Sequence, residues 1–223
     1  MELTPALILG MWASGLAAGG AVVTGWRIVG RGYTWLTAIV VVMFGLTAAA
    51  AGGGGLAWAG ALAASAAALS SRWIAVATAL FSGASAAFAI AALADSPLLP
   101  VITGAIFLGA ITSEMMLGHW YLVDPRLPRW ALRALMAAGL VGLAGDVGYL
   151  TLEGVFDWSA AGSAMGWGFV ALGGFTALLG VAVVLALREP RYSAVMAATG
   201  LSYLATLTAF GAVVVGRMVA FPG

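Results

Sequence analysis

The longest apolar stretch of the chain, residues 33–69, reads YTWLTAIVVVMFGLTAAAAGGGGLAWAGALAASAAAL. Only the glycines at 52–55 interrupt its run of apolar and small side chains. Glycine runs favour turns over regular helix, because glycine lacks a Cβ and reaches backbone angles that other residues avoid. Whether the chain turns at these glycines therefore decides how many long helices it forms and on which side each later loop lies.

The composition places the chain in a lipid bilayer. Hydrophobic residues make up 63% of its 223 residues, charged residues 8%, and the mean hydropathy is +1.09. About a quarter of an average globular protein is charged, so this chain has too few charges to solvate a water-facing surface. The predicted fold class is all-α, a polytopic integral membrane protein.

Charged or turn-forming breaks divide the chain into eight apolar segments. A membrane helix needs about 20 residues to cross a hydrocarbon core of about 30 Å, so the stretch 33–69 is too long for one crossing and short for two. The breaks fall at residues 27–32, 51–55, 70–72, 95–97, 123–129, 153–161 and 188–191. We therefore predict eight transmembrane helices.

The distribution of the arginines favours a turn at 51–55. Arginine in short loops collects on the cytoplasmic side of a membrane. With a turn there, every arginine except Arg217 falls on one side, whereas without it this asymmetry disappears. The opposite side then holds four acids, Glu2, Asp95, Glu153 and Asp157. We expect both termini on the outer face of a prokaryotic-type inner or plasma membrane.

The two halves of the chain share a pattern of residues. Leu9, Gly10, Ser14, Gly19 and Arg27 recur at an offset of 99 as Leu108, Gly109, Ser113, Gly118 and Arg126. This repeat predicts two four-helix units in parallel orientation, residues 1–96 and 97–223. The first unit has the character of a scaffold, because the ionisable residues at membrane depth all lie in the second. Small residues at the four-residue spacing of Gly15 and Gly19 predict close contact between helices.

Residue types that support several common chemistries are missing. The chain has no Cys or Lys and a single His, which excludes disulfides, lysine Schiff bases, thiolate-held clusters and a haem held by two histidines of this chain. A net charge of +1 gives no electrostatic footprint for nucleic acid. No P-loop, HExxH, GxSxG or dinucleotide motif is present. We predict no metal site; a soft copper site at Met115, Met116 and His119 is the alternative to simple packing of these residues.

Glu114, His119 and Asp146 are ionisable residues at membrane depth, where such groups are costly and mark function. In a helix over 98–122, Glu114 lies about 6 Å and His119 about 14 Å to the arginine side of the midplane. In a helix over 130–152, Asp146 lies about 7 Å to the other side. We predict that all three take part in chemistry. The structural alternatives are an interfacial hydrogen bond for His119 and a bond from Asp146 to Tyr149 or a loop.

Residues 112–121, TSEMMLGHWY, surround Glu114 with candidates for ligand binding. We assign to this set Met115, Gly118, Trp120 and Tyr121, together with Arg133 from the next helix. Gly118 shares the direction of Glu114 and is expected to leave its carboxyl group an open approach. If Arg133 reaches Glu114, the acid stays ionised and structural; if not, it can accept and donate a proton. Trp120 and Tyr121 also fit an interfacial aromatic belt.

These features favour a membrane-embedded subunit of an electron-transfer or respiratory complex, with a quinone or similar apolar ligand and proton exchange near Glu114 and His119. The interior offers few polar side chains, which suits an apolar ligand better than a sugar or nucleotide. Electrons would come from other membrane or peripheral subunits, because the chain binds no haem pair or cluster. A small proton-coupled transporter or channel is the alternative, and a non-catalytic assembly or anchor protein is the second alternative. Whether the protein is an enzyme stays open.

Overall fold

The computed structural model describes residues 3–154 and 164–220, and within these ranges the chain is helical and forms no strand. The helices are α1 Pro5–Gly25, α2 Arg31–Ala48, α3 Gly54–Leu69, α4 Ile74–Ala92, α5 Leu98–Trp120, α6 Arg129–Leu152, α7 Ala164–Ala186 and α8 Tyr192–Ala220. Seven described segments are long and apolar enough to cross a membrane, with Arg31–Leu69 counted as one. The all-helical class is therefore confirmed for the described residues, and their helices have the length and composition of membrane spans.

A π-helical segment, Ala49–Gly53, joins α2 to α3, and the chain reverses direction there. Gly52 has φ +109° and Gly54 has φ +66°, which are left-handed values that a side chain disfavours. A methyl group at Gly45 of α2 would lie 3.4 Å from the Cβ of Ala61 in α3, and Trp35 and Leu69 line one groove. The two helices thus lie side by side in opposite directions.

Local signals set the helix boundaries close to the predicted ones. Thr4 caps α1 by accepting a hydrogen bond from the Leu7 backbone N–H at 3.1 Å. Helix α5 ends at Trp120 and not at 122, because the N–H groups of Leu122 and Val123 bond three residues back in tight turns. Helix α6 begins at Arg129, directly after Pro128, one residue before the predicted start.

The centre of the molecule is a close crossing of α1 and α5. Side chains at Gly15 and Gly109 would collide with the backbone of the other helix, so only glycine fits at either position. Gly19 meets Ser113 one turn further along, and Gly104 meets Met11 one turn before. The contacts advance in the same direction on both helices, so α1 and α5 run parallel. Helices α2 and α4 pack around α1, while α6 and α8 pack around α5.

The helix ends gather into two ends of the bundle. One end, which we call the arginine-rich end, joins the end of α1 to the start of α6 and the end of α5 to the starts of α2 and α8, through the ring pairs Trp26–Trp130, Trp120–Tyr33 and Tyr121–Tyr192. At the opposite end, the Thr4 hydroxyl donates to the Asp95 carboxylate at 2.9 Å. Glu2 and Asp157, predicted on that side, lie outside the described residues.

A glycine stripe along α6 forms a tight seam with α5. Side chains at Gly139, Gly142 and Gly145 would collide with Ile111, Phe107 and Thr103 respectively, whereas Gly148 faces open space. Close approach of two membrane helices depends on such small residues. The seam brings α6, and with it Asp146, against the same face of α5 that carries Thr103.

Candidate functional site

Glu114 is fully buried on α5, and no described residue forms an ion pair with it. Neither of its carboxyl oxygens has a hydrogen bond within the described chain. The Ser202 hydroxyl of α8 is a polar neighbour of this carboxyl, but it donates its proton to the Ala198 carbonyl at 2.9 Å. The hydroxyl oxygen keeps lone pairs free, so it can accept a hydrogen bond from Glu114 when the acid carries its proton.

Arg133 does not neutralise Glu114. Its side chain is exposed on the surface of α6, and Glu114 takes part in neither of the ion pairs formed among the described residues. Charge that is buried without a counter-ion costs several kcal/mol. Of the two alternatives that the sequence leaves open, the structure therefore shows the unpaired acid.

Helix α8 closes the approach to Glu114 that the sequence predicts at Gly118. A side chain at Gly118 would collide with the Thr199 hydroxyl, so the space is filled by α8 and does not form an open channel. Thr199, Ser202 and Thr206 form a stripe on one face of α8, and each donates to a carbonyl one turn back at 2.9 Å. The Thr206 hydroxyl also lies 3.7 Å from the Met115 sulfur.

Asp146 lies in a second buried polar cluster, with Arg217 of α8. Arg217 Nη2 is 2.9 Å from Asp146 Oδ1, and both side chains are fully buried. The same nitrogen donates to the Pro100 carbonyl at 2.6 Å, and the Thr103 hydroxyl donates to Asp146 Oδ1. Asp146 Oδ2 and Arg217 Nε and Nη1 have no hydrogen-bond partner within the described residues.

Arg217 is the site residue that sequence reasoning missed. Its position near the end of the chain suggests a charge at the membrane boundary, yet it is buried as completely as Asp146. One signal could have identified it: α8 continues beyond Arg217 through further apolar residues to Ala220. The structural alternative for Asp146, a bond to Tyr149 or a loop, gives way to the ion pair with Arg217. The Tyr149 ring centroid lies 5.9 Å from the Arg217 guanidinium.

The two buried polar positions lie along one face of α5. Thr103, which holds Asp146, and Glu114 are separated by three helical turns, so their side chains point the same way about 16 Å apart along the axis. Phe107 and Ile111 occupy the turns between them and are fully buried. We call this row of residues on α5, from Thr103 to Glu114, the acid lane. In the described structure, the apolar side chains of Phe107 and Ile111 separate the two ends of the acid lane.

His119 is separate from the acid lane. It is exposed at the arginine-rich end of α5, and its Nδ1 lies 3.4 Å from the Tyr203 hydroxyl of α8. Trp120 is half-buried and packs edge-on against Tyr33 at 6.0 Å between ring centroids. Tyr121 is buried beside Tyr192. The predicted ligand-binding residues therefore do not meet around a single cavity with Glu114.

The described residues hold no group of three or more His, Asp or Glu side chains placed to bind a metal ion. Comparison with known proteins identifies no relative: no family model, curated protein or solved structure matches the chain. The functional assignment therefore depends on Glu114, the Asp146–Arg217 pair and the helices that hold them.

Proposed function

We propose that the protein is a proton-coupled membrane transporter or channel, in which Glu114 takes up and releases the proton. The observation that carries this proposal is the Glu114 carboxyl group, which is fully buried and without a hydrogen bond or cation in the described chain. An acid at membrane depth that no ion pair requires to be charged is free to change its protonation state. Positioned acids of this kind serve as proton relays in pumps and transporters.

The proposal includes eight membrane crossings in two four-helix units, residues 1–96 and 97–223. Two membrane helices that run parallel must have an odd number of crossings between them, and α1 and α5 are parallel at their contact. The reversal at Gly52 and Gly54 supplies the additional crossing by dividing residues 31–69 into two helices. Helix α3, with 16 residues, is about 24 Å long and requires a local adjustment of the bilayer.

The sidedness follows from the arginines. The arginine-rich end carries Arg27, Arg31, Arg72, Arg126, Arg129, Arg188 and Arg191, and short cytoplasmic loops collect such residues. We place this end in the cytoplasm of a prokaryotic-type cell and both termini outside. Glu114 is then nearer the cytoplasm, and the Asp146–Arg217 pair is nearer the outer surface.

Helix α8 can couple the two ends of the acid lane. It brings Ser202 beside Glu114 and Arg217 to Asp146, at positions about 22 Å apart along the helix. A shift of α8 along α5 therefore changes the surroundings of both acids together. Phe107 and Ile111 leave no path for water between the two acids in this state. A shift of α8 along α5 would open such a path and admit protons. An anchor protein has no need of this arrangement.

Proton flux into liposomes tests the function. The purified protein is reconstituted with an internal pH-sensitive dye, and an imposed pH gradient or potential drives proton entry. We expect Glu114→Gln to lower the rate about 100-fold, since loss of a positioned proton carrier costs at least that much. Glu153→Gln, at the exposed end of α6, is the matched control and should leave the flux intact. Equal flux in the Glu114→Gln variant and the unmodified protein refutes the role of Glu114.

A quinone-reactive subunit of an electron-transfer complex is the second candidate, favoured by His119 and Tyr203. Their imidazole and phenol lie 3.4 Å apart on the bilayer-facing surface of α5 and α8, and both groups can hydrogen-bond a quinone carbonyl. Electrons would come from partner subunits. Binding of a short-chain benzoquinone should then weaken about 10-fold in His119→Ala and Tyr203→Phe, a double loss that the transporter proposal does not expect.

A further inference from the structure

A cavity of about 390 Å³ lies where α1 and α4 meet α5 and α6. Most of its wall is alanine, glycine and aliphatic side chain, including Gly15, Ala18, Ala105, Ala110, Ala134 and Ala138. We call it the alanine groove. Ser14 and Ser85 are its polar lining residues, and the Ser14 hydroxyl is already satisfied by the Ser85 carbonyl at 2.9 Å.

The shape and lining of the alanine groove suit a hydrocarbon chain. Along α1 the groove extends from Ser14 to Trp26, about 18 Å of helix, so it is long and narrow. Ile102, Ile106 and Val22 stand at its margin and are exposed on the bilayer-facing surface of the bundle. A ligand that needs several hydrogen bonds finds few partners here, whereas an acyl chain needs none.

The groove ends at Trp26, at the arginine-rich end of the bundle. The rings of Trp26 and Trp130 meet there edge to face, with centroids 4.8 Å apart. Arg27 follows Trp26 directly, and Arg133 directly precedes Ala134, a lining residue of the groove. Both arginines are exposed, and among the described residues neither forms an ion pair.

Arg129, at the start of α6, differs from Arg27 and Arg133 because backbone carbonyl groups bind its guanidinium. Its guanidinium is taken up by the loop after α7, donating to the carbonyls of Glu189, Pro190 and Arg191. Arg27 and Arg133, each next in sequence to a lining residue of the groove, carry charges that no ion pair among the described residues offsets. Basic pockets between membrane helices are the usual recognition sites for anionic lipid headgroups.

Arg27 has a backbone conformation that glycine adopts at lower cost than any residue with a side chain. Its φ of +59° is left-handed, and Arg27 is the only non-glycine residue with positive φ among those described. A side chain disfavours this conformation, and helices commonly end on glycine at such a position. The backbone conformation itself therefore does not require arginine at this position.

We propose that the alanine groove binds one acyl chain of an anionic phospholipid, whose phosphate lies between Arg27 and Arg133. The acyl chain would contact α1 and α4 on one side and α5 and α6 on the other, and would fill the space beside the Gly15–Gly109 crossing. The bound lipid would thus join the two halves of the protein. This site is separate from proton transfer at Glu114, which does not line the groove.

Retention of lipid by the detergent-solubilised full-length protein tests the proposal. Phosphatidylglycerol and phosphatidylcholine of identical chains are titrated separately, and bound lipid is counted by native mass spectrometry. We expect phosphatidylglycerol to bind more tightly, and Arg27→Gly and Arg133→Gln to weaken it about 5-fold each and about 25-fold together, as loss of one surface cation per variant implies. Phosphatidylcholine affinity should not change.

Two control variants, Arg72→Gln and Ala137→Phe, separate the groove from general effects. Arg72→Gln removes an exposed arginine at the same end, away from the groove, and should leave phosphatidylglycerol binding intact. Ala138→Phe fills the groove and should displace both lipids, whereas Ala137→Phe, on the adjacent exposed position of α6, should displace neither. Arg27→Gly relieves the left-handed strain, so this variant should fold at least as well as the unmodified protein.

Three outcomes overturn the proposal. They are equal retention of the two lipids by the unmodified protein, unchanged phosphatidylglycerol affinity in the Arg27→Gly/Arg133→Gln double variant, and a co-purified isoprenoid without phosphate that Ala138→Phe displaces. None of these results bears on the proton flux through Glu114, so the two proposals can fail separately.

Discussion

Arg217 of α8 and Asp146 of α6 form a fully buried ion pair, with Nη2 and Oδ1 2.9 Å apart. The two residues are far apart in sequence and lie on helices that pack mainly against other partners, so the pair bridges α6 and α8 beside the start of α5. It leaves Arg217 Nε and Nη1 and one Asp146 oxygen without hydrogen bonds in the described chain. The pair is held by mutual charge more than by a complete hydrogen-bond network.

Removal of one member of this pair should be strongly destabilising. Asp146→Asn leaves the Arg217 charge buried without a counter-ion, which costs about 3–5 kcal/mol. The double variant Asp146→Asn/Arg217→Met removes both charges and should recover most of that loss. Thermal unfolding of the detergent-solubilised protein measures the effect, and additive losses in the double variant would contradict a coupled pair.

The crossing of α1 and α5 should not tolerate a methyl group. Gly109→Ala places a Cβ against the Gly15 backbone, which forces the helices apart and should cost about 1–3 kcal/mol of unfolding free energy. Gly148→Ala on α6 meets open space and is the matched control, expected to be neutral or slightly stabilising. The prediction is wrong if the two variants unfold at the same temperature.

The turn between α2 and α3 should depend on Gly52. Its φ of +109° is unfavourable for any residue with a Cβ, so Gly52→Ala should lower the unfolding free energy by about 1–2 kcal/mol. Gly55 lies in the same run, also has open space around it and has no positive φ. Gly55→Ala should therefore be harmless, and an equal loss in both variants would show that the turn geometry is not what Gly52 provides.

Reporter fusions test the direction of each crossing. A reporter placed after Gly53 should be located outside the cell, as should one placed after Asp95, whereas one after Arg72 or Arg188 should be cytoplasmic. The reason is the reversal at Gly52 together with the arginines at one end of the bundle. A cytoplasmic signal after Gly53 would exclude the eight-crossing topology.

Sequence alone determined the class of the protein and the limits of its helices. Apolar segments of about 20 residues have the length of membrane helices, which satisfy their own backbone hydrogen bonds in a bilayer, and prolines, glycines and arginines mark where those helices end. Sequence also identified Glu114 and Asp146 as acids that no loop explains, because depth can be counted at 1.5 Å per residue along a helix.

Only the tertiary structure decided which groups meet. It paired Asp146 with Arg217, left Glu114 without Arg133, filled the space at Gly118 with Thr199 and turned His119 to the surface. These contacts depend on how each helix is rotated about its axis. In a soluble helix an apolar stripe reveals that rotation, but these helices are apolar on all sides, so the small residues at their crossings set it instead.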